Sequence, residues 1–301
     1  DLSALVPEDD CVVALQPDWQ GRVWFATRDG RVGTFEADGD TDGSVLDLGT
    51  ESGEDGEQIA NSLAVDRHGV YVVSAHALYR LRAGRDGRPR IEWRTAYERG
   101  EERKPGQLTQ GSGTTPTLLP GGLVAITDNA EPRMHVAFHD VDDGALVCRA
   151  AVFGEGESAT ENSLVSVGDG GVVVENNHGY AGPWSTLLGR ATTGGLARVD
   201  VDRAAGECAV TWTSDEVAPT SVAKVSLPTG LVYAYTKRPS WWGVDAWYLT
   251  ALDARTGKRV WAVRTGLGPL RNNHYSAVTI GPDGSVFVAT LAGLVRVRDR
   301  D

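Results

Sequence analysis

The chain has 301 residues, of which 29 are Lys or Arg and 41 are Asp or Glu, so its formal net charge is −12. This charge argues against a nucleic-acid binder and against an anionic-membrane binder, because a polyanion must be met by clustered cationic side chains. Hydrophobic residues make up 41% of the chain, and no apolar run approaches the roughly 18 residues of a membrane span. We therefore predict a soluble globular protein that binds no nucleic acid and does not insert into a membrane.

One pattern of short apolar runs recurs six times along the chain. Each copy begins with two runs around a Gly-rich turn, as in SLAVDRHGVYVVS at 62–74, and continues into a hairpin such as ALDARTGKRVW at 251–261. Four antiparallel strands repeated radially are typical of a β-propeller. We predict an all-β fold, a six-bladed β-propeller of four-stranded antiparallel blades that forms one domain over 1–301. The blades are expected at about 11–49, 57–97, 107–153, 161–213, 220–265 and 274–299.

The last unit stops after its third strand, at GLVRVRD (293–299). A ring that ended there would expose an unpaired strand edge. Residues 2–6 (LSALV) precede the first unit, so we predict that this N-terminal strand closes the last blade.

Two shorter features bear on ions and on the compartment. Residues 38–43 (DGDTDG) match the first half of a calcium-binding loop, although an acidic hairpin tip explains them as well. Cys148 and Cys208 occupy equivalent strand positions in successive units, so a disulfide bridge and two buried thiols both stay open. The chain opens on Asp, which is consistent with a processed export product or with a trimmed chain, so the compartment stays open and an exported, periplasmic or secreted protein is favoured.

The outline Ala-x-Asp-x-x-Thr-Gly-x-x-x-Trp at 251–261 resembles the blade signature of quinoprotein-like propellers, the pyrroloquinoline-quinone (PQQ) type of repeat. Trp93, Trp212 and Trp261 hold the tryptophan position, and Cys148 or a neighbour replaces it in the third blade. The resemblance implies the propeller fold. The quinone dehydrogenases of this family carry a vicinal Cys pair that this chain lacks, so PQQ is not expected, and scaffold members keep a non-enzymatic role open.

Polar residues gather where the strands of a propeller reach the mouth of its central channel. We predict a divalent cation there, held by amide and carboxylate oxygens, which favour calcium over zinc or iron. By residue type the set is similar to the calcium site of gluconolactonase-type and paraoxonase-type six-bladed enzymes. The predicted ligands are Asn61, Asn162, Asn273, Asn129, Glu161 and Asp128, and Glu175 can add charge.

Imidazoles provide a second interpretation of the same mouth. His76, His178 and His274 come from alternate blades, and three His with an open position would suit zinc or iron. Without a metal, His178 or His274 beside Glu175 would act as acid and base, and Lys237 or Tyr275 would polarise the substrate.

Aromatic residues are concentrated in two long loops, at 178–190 and 237–247. We predict that Tyr180, Trp184, Trp241 and Trp242, with His76, form a substrate-binding wall for a ring-containing small molecule or sugar. Packing of the two loops on each other explains the same residues, and so does a protein partner.

These observations favour a small-molecule enzyme with its active site at the funnel mouth. The expected reaction is cation-assisted hydrolysis or elimination at a carbonyl-containing substrate such as a lactone or ester. The alternative is a non-enzymatic propeller that binds a protein or a glycan through its aromatic loops. We expect the protein to be a monomer.

Overall fold

The structure is a computed structural model that describes residues 2–36, 43–53 and 56–299. Six antiparallel sheets follow one another along the chain, and neighbouring strands in each sheet are consecutive in sequence. This confirms the predicted all-β class and the sixfold repeat. The first three sheets consist of β1 (Val12–Pro17), β2 (Arg22–Thr27), β3 (Arg31–Glu36) and β4 (Ser44–Asp47); β5 (Ala64–Val65), β6 (Val70–Val73), β7 (Ala77–Ala83) and β8 (Pro89–Ala96); and β9 (Thr117–Leu119), β10 (Leu123–Thr127), β11 (His135–Asp140) and β12 (Leu146–Ala151).

The last three sheets repeat the pattern, except that the sixth has three strands in the described residues. They consist of β13 (Val165–Ser166), β14 (Gly171–Glu175), β15 (Leu196–Asp202) and β16 (Glu207–Ser214); β17 (Lys224–Ser226), β18 (Leu231–Arg238), β19 (Ala246–Asp253) and β20 (Arg259–Leu267); and β21 (Thr279–Ile280), β22 (Val286–Thr290) and β23 (Gly293–Val297).

One short α-helix, α1 (Leu48–Ser52), follows β4. The Asp47 side chain caps its N-terminus by accepting a hydrogen bond from the Thr50 N–H at 3.1 Å. Gly53 ends it in the left-handed conformation. Two 3₁₀ turns, Pro183–Thr186 and Pro269–Arg271, lie in loops. The acidic repeat at 38–43, interpreted above as half of a calcium loop, lies outside the described residues except for Gly43.

Five apolar cores fill the spaces between successive sheets, from the first pair to the fifth. Strands in the middle of the stack, such as β10 and β14, are buried at every position because they contact a core on both faces. The innermost strands lie side by side, with β1 against β5, β9 against β13, β13 against β17 and β17 against β21. The loops that lead into them therefore meet at one end of the molecule.

The N-terminal segment does not close the last sheet, so that prediction is wrong. Residues 2–6 form a turn in which the N–H groups of Leu5 and Val6 both donate to the Leu2 carbonyl at 2.9 Å. The Leu5 side chain packs against Gly43 of the first sheet, which keeps the segment beside that sheet. In the described part of the chain, none of the five cores joins the sixth sheet to the first.

Tryptophans on two outer strands form hydrogen bonds to the following sheet, from the second sheet to the third and from the fourth to the fifth. Trp93 donates its indole N–H to the Val141 carbonyl, and Trp212 donates to the Ala254 carbonyl, both at 2.9 Å. Each accepting carbonyl belongs to the β-turn of the following sheet. A turn glycine then packs on the indole ring, Gly144 on Trp93 and Gly257 on Trp212.

A disulfide fastens the third sheet to the fourth. Cys148 on β12 is bonded to Cys208 on β16, with Cα atoms 5.7 Å apart. Cys148 pairs with Phe138 beside a β-bulge, as Trp93 pairs with Arg80 and Trp212 with Arg198, so a covalent link takes the place of the indole found in those sheets. Cys208 pairs with Val201, farther along β16 from Trp212, so the two cysteines do not occupy the equivalent strand positions expected from the sequence. Of the alternatives left open above, the structure has the bridge.

Candidate functional site

A pocket of about 400 Å³ lies between the loops that lead into the innermost strands β9 and β21 and the loop that follows β14. Three segments line it, residues 103–108, 180–182 and 274–275, which we call the mouth pocket. The first segment connects the second and third sheets, and the other two come from the fourth sheet and the connection into the sixth.

An aromatic cluster forms one wall of the mouth pocket. Tyr180 is buried, and its hydroxyl lies 3.1 Å from His274 Nδ1, while its ring meets the Tyr275 ring edge-on at 5.5 Å. His274 and Tyr275 have φ angles of 39° and 66°, which non-glycine residues seldom adopt. Asn272 supports this strained turn, because its side-chain oxygen accepts a hydrogen bond from the His274 N–H at 2.7 Å. Strain of this kind is concentrated at binding sites.

The opposite wall carries positive charge that the sequence analysis did not identify. Arg103 is exposed at the rim, and Lys104 is buried with its ammonium donating to the Ala130 carbonyl. Burial lowers the pKa of Lys104. The only sequence signal was a charged stretch, 101–104, in a long connection between two strands, and such stretches are usually solvated.

Glu161 lies directly beside the mouth pocket. The Leu108 N–H, from the pocket lining, donates to one carboxyl oxygen at 3.1 Å, and the other oxygen is buried without a hydrogen-bond partner. Burial raises the pKa of Glu161 to about 7, although the Leu108 hydrogen bond and the charge of Arg103 oppose the rise. Glu161 therefore exchanges a proton readily near neutral pH.

A second buried carboxyl, Glu175, lies on the neighbouring strand β14. Asn162 donates its side-chain N–H to one oxygen of Glu175 at 2.7 Å, and the other oxygen is buried without a partner. Burial raises the pKa of Glu175 to about 8. Glu161 and Asn162 are consecutive in the chain and connect the pocket to Glu175. Glu161 accepts a hydrogen bond from the pocket lining, and Asn162 donates hydrogen bonds to Glu175 and to the Ser221 carbonyl.

Other predicted cation ligands are committed to hydrogen bonds within the protein. Asn129 accepts from Gln107 at 2.9 Å and donates to two backbone carbonyls, which holds the pocket segment in place. Asn273 accepts from Thr220 at 3.0 Å and donates to the Ser276 carbonyl.

One carboxylate oxygen of Asp128 lies 2.8 Å from His135 Nδ1, and the other accepts hydrogen bonds from backbone N–H groups. The amide nitrogen of Asn61 is buried without a partner. Of the predicted ligands, Asn162 and Glu161 each have one buried oxygen that accepts no hydrogen bond, and so does Glu175.

The three imidazoles have different neighbours. His274 lines the mouth pocket, His76 lies 3.2 Å from Arg99, and His178 lies 3.4 Å from Thr193. Burial lowers the pKa of His178. Over residues 2–36, 43–53 and 56–299, the structure places no group of three or more His, Cys, Asp or Glu so that it could hold a metal ion.

Lys237 and the tryptophans lie apart from the mouth pocket lining. The Lys237 ammonium forms a buried 3.0 Å ion pair with Asp245. Trp184, Trp241 and Trp242 are exposed at the surface, so of the predicted aromatic wall only Tyr180 lines the pocket.

Comparisons with known proteins identify the fold. No protein-family profile matches the chain. An uncharacterized protein from Archaeoglobus fulgidus is 29% identical over 323 residues, which cover 96% of this chain and 61% of that protein. The chain thus spans less than two thirds of the length of this relative.

Several solved structures share the architecture. BamB from Moraxella catarrhalis superposes with a TM-score of 0.57 at 15% identity, covering 96% of this chain and 85% of that one. A candidate 6-phosphogluconolactonase from Bacteroides fragilis gives a TM-score of 0.55 at 12% identity, covering 92% and 76%. The matched structures are β-propellers, and at these identities they establish that this chain has a β-propeller fold. In the described residues, no helix is long and apolar enough to cross a bilayer.

Proposed function

We propose that the protein binds a small carbonyl compound, a lactone or ester, in the mouth pocket and hydrolyses it with Glu161 as the acid and base. The observation that carries the proposal is the position of Glu161: a buried carboxyl bonded to the pocket lining, with a pKa of about 7. A general acid–base works best when its pKa lies near the working pH.

The chemistry follows from that position. Ionised Glu161 accepts a proton from water as the water oxygen bonds to the carbonyl carbon. The same carboxyl then returns the proton to the leaving oxygen as the ester C–O bond breaks. Arg103 provides positive charge at the rim, where it stabilises the negative charge that develops on the carbonyl oxygen.

The aromatic wall supports a ring-shaped or sugar-like substrate. Tyr180 and Tyr275 offer flat apolar surface, and the Tyr180 hydroxyl and the His274 imidazole offer hydrogen bonds beside it. The similarity in fold to a candidate 6-phosphogluconolactonase is compatible with lactone chemistry.

Calcium binding is a separate proposal from the acid–base role, because Glu161 and Glu175 would have to be ionised to hold the ion. Asn162, Glu161 and Glu175 each present one buried oxygen that accepts no hydrogen bond, and oxygen donors of this type suit calcium. When bound, such an ion would polarise the substrate carbonyl. Elemental analysis of the purified protein, with Asn162→Ala for comparison, tests this part separately.

A non-enzymatic binding function is the second candidate. The observation that favours it is the exposure of Trp184, Trp241 and Trp242, because exposed aromatic clusters mark contact surfaces. We also propose that the protein is exported, since a disulfide joins Cys148 to Cys208 and disulfides persist in oxidising compartments.

The test of the enzymatic proposal is hydrolysis of gluconolactone and of 4-nitrophenyl butyrate. We expect saturable hydrolysis of at least one of them, with an apparent pKa near 7 in the profile of kcat/KM against pH. Glu161→Gln should lower kcat/KM by about 100-fold or more and remove that pKa.

Glu207→Gln is the matched control, because Glu207 is exposed on the outer strand β16. It should leave the rate and its pH profile unchanged. Equal rates for wild type and Glu161→Gln would contradict the proposal, and so would the absence of hydrolysis of both substrates.

A further inference from the structure

Three loops, one of which begins in the mouth pocket lining, are joined by the buried residue Asp245. Its carboxylate accepts a hydrogen bond from the Gly189 N–H at 3.1 Å and pairs with Lys237 at 3.0 Å. Its backbone carbonyl accepts from the Gly268 N–H at 2.8 Å. Loops 181–190, 238–245 and 267–271 are thereby tied to one residue, and Lys237 has a structural role.

Large apolar side chains project from these tied loops. Trp241 and Trp242 are 92% and 73% exposed and stack on each other with ring centroids 5.3 Å apart. Trp184 and Leu188 are 79% and 75% exposed. The Ser240 N–H donates to the Gly189 carbonyl at 3.1 Å, which brings the tryptophan pair beside Leu188. We call these four residues the tryptophan surface.

The tryptophan surface is held in its exposed form by the backbone. Leu188 has a φ of 56°, an unfavourable conformation for a residue with a branched side chain. Water solvates such side chains poorly, so four of them exposed on loops tied to one residue mark a binding surface.

The charge around the tryptophan surface is opposite to that of the whole chain. The three loops contain Arg190, Arg238 and Arg271 and a single acid, Asp245, which is buried in its ion pair. Arg190 and Arg238 are exposed. Beyond Arg238, the exposed Asp215 borders the neighbouring groove. The three loops therefore form a local cationic region in a chain whose net charge is −12.

We infer that the tryptophan surface docks onto an anionic lipid bilayer. Trp and Leu side chains bind in the headgroup region, where apolar area is buried without insertion of the chain. Arginines beside them pair with lipid phosphates. The acidic remainder of the molecule is repelled by the same lipids, so the complementary charge also sets the orientation.

Docking would bring the mouth pocket close to the bilayer. Residues 181–182 line the mouth pocket, and the same loop continues to Trp184. The inference does not depend on hydrolysis, because it rests on exposure and charge outside the pocket.

The experiment is co-sedimentation with vesicles of pure phosphatidylcholine and with vesicles in which about a third of the lipid is phosphatidylglycerol. We expect binding to the anionic vesicles that weakens as salt is raised. The double variant Trp241→Ala and Trp242→Ala should reduce the partition coefficient roughly tenfold or more. Arg190→Glu with Arg238→Glu should reduce it by a similar factor.

Trp19→Ala is the matched control, because Trp19 is 57% exposed on the first sheet, away from the three loops. It should bind the vesicles like wild type. Equal binding by the Trp241 and Trp242 double variant would overturn the inference, as would failure of wild type to bind anionic vesicles. Capture of a glycan or a protein by the tryptophan surface, with no vesicle binding, would also overturn it.

Discussion

Among single residues, Glu175 shows most directly how burial changes chemistry. It lies within β14, a strand covered by cores on both faces, and its described partners are the neutral groups of Asn162 and the Ala223 N–H. None of these partners carries a positive charge that would offset the lost hydration of the carboxylate, so the neutral acid is favoured. The folded protein holds this proton up to a pH of about 8.

This shift predicts a loss of stability as pH rises. Between the ordinary pKa of a Glu and the folded value of about 8, the native state binds one proton more than the unfolded chain. Stability is therefore highest below that window and falls through it. Glu175→Gln mimics the neutral acid and should exceed wild type near pH 9 by several kcal/mol, on the order of 5 for a shift of this size.

Urea unfolding at several pH values measures the effect. Glu207→Gln, at an exposed position, should reproduce the wild-type dependence. If Glu175→Gln follows the wild-type slope as well, Glu175 is ionised in the folded protein and the assignment is wrong.

At the scale of the element, the Trp–Gly contact between sheets sets how closely the blades pack. Gly257 has a φ of 68°, and a Cβ atom there would lie 2.5 Å from the Trp212 ring. Gly257→Ala should destabilise the fold by about 3 kcal/mol, because both the backbone and the indole must shift. Thermal unfolding checks this.

Gly230 provides the control for the backbone contribution. Its φ is 65°, but a Cβ atom there would meet nothing within 4 Å. Gly230→Ala should therefore cost only about 1 kcal/mol, the cost of the left-handed conformation. Equal losses for the two variants would mean that the indole contact contributes nothing.

The disulfide between β12 and β16 is the second element that couples sheets. It closes a loop with a sequence separation of 60 residues. Cys148→Ser with Cys208→Ser should lower the free energy of unfolding by about 2–4 kcal/mol. Cys11→Ser, at an exposed free cysteine, should leave it unchanged. A similar loss in both variants would show that the bridge is not what stabilises the junction.

For the whole molecule, the described apolar cores cover the sixth sheet less completely than the fourth. Strand β14 lies between two cores, whereas β22 contacts a described core through Val286 and Val288 on one face only. Fewer buried contacts allow local opening at lower free energy. Amides of β22 should therefore exchange with deuterium at least about tenfold faster than those of β14.

Hydrogen exchange followed by mass spectrometry compares the two strands directly. Amides of β10, which is also buried throughout, provide the internal reference and should match β14. Equal protection of β22 would show that its other face is covered in solution.

Repetition in the sequence by itself determined the all-β class and the six successive sheets, because strand periodicity and turn residues act over a few neighbours. It also brought Glu161, Glu175, Tyr180, His274 and Tyr275 into consideration, since residues at strand ends meet at one mouth. Tertiary structure alone decided which of these side chains are chemically available. Asn129 and Asn273 are occupied by hydrogen bonds to distant residues.

Long-range contacts also decided the remaining features. The positions of Arg103 and Lys104 are set by the path of the long connection between β8 and β9. The position of residues 2–6 is set by the contact of the Leu5 side chain with Gly43. The net charge argued against an anionic membrane partner, yet the three loops that carry the four exposed apolar side chains also carry three arginines. Local pattern specifies strands, but burial, pairing and local charge are set by residues far apart in the chain.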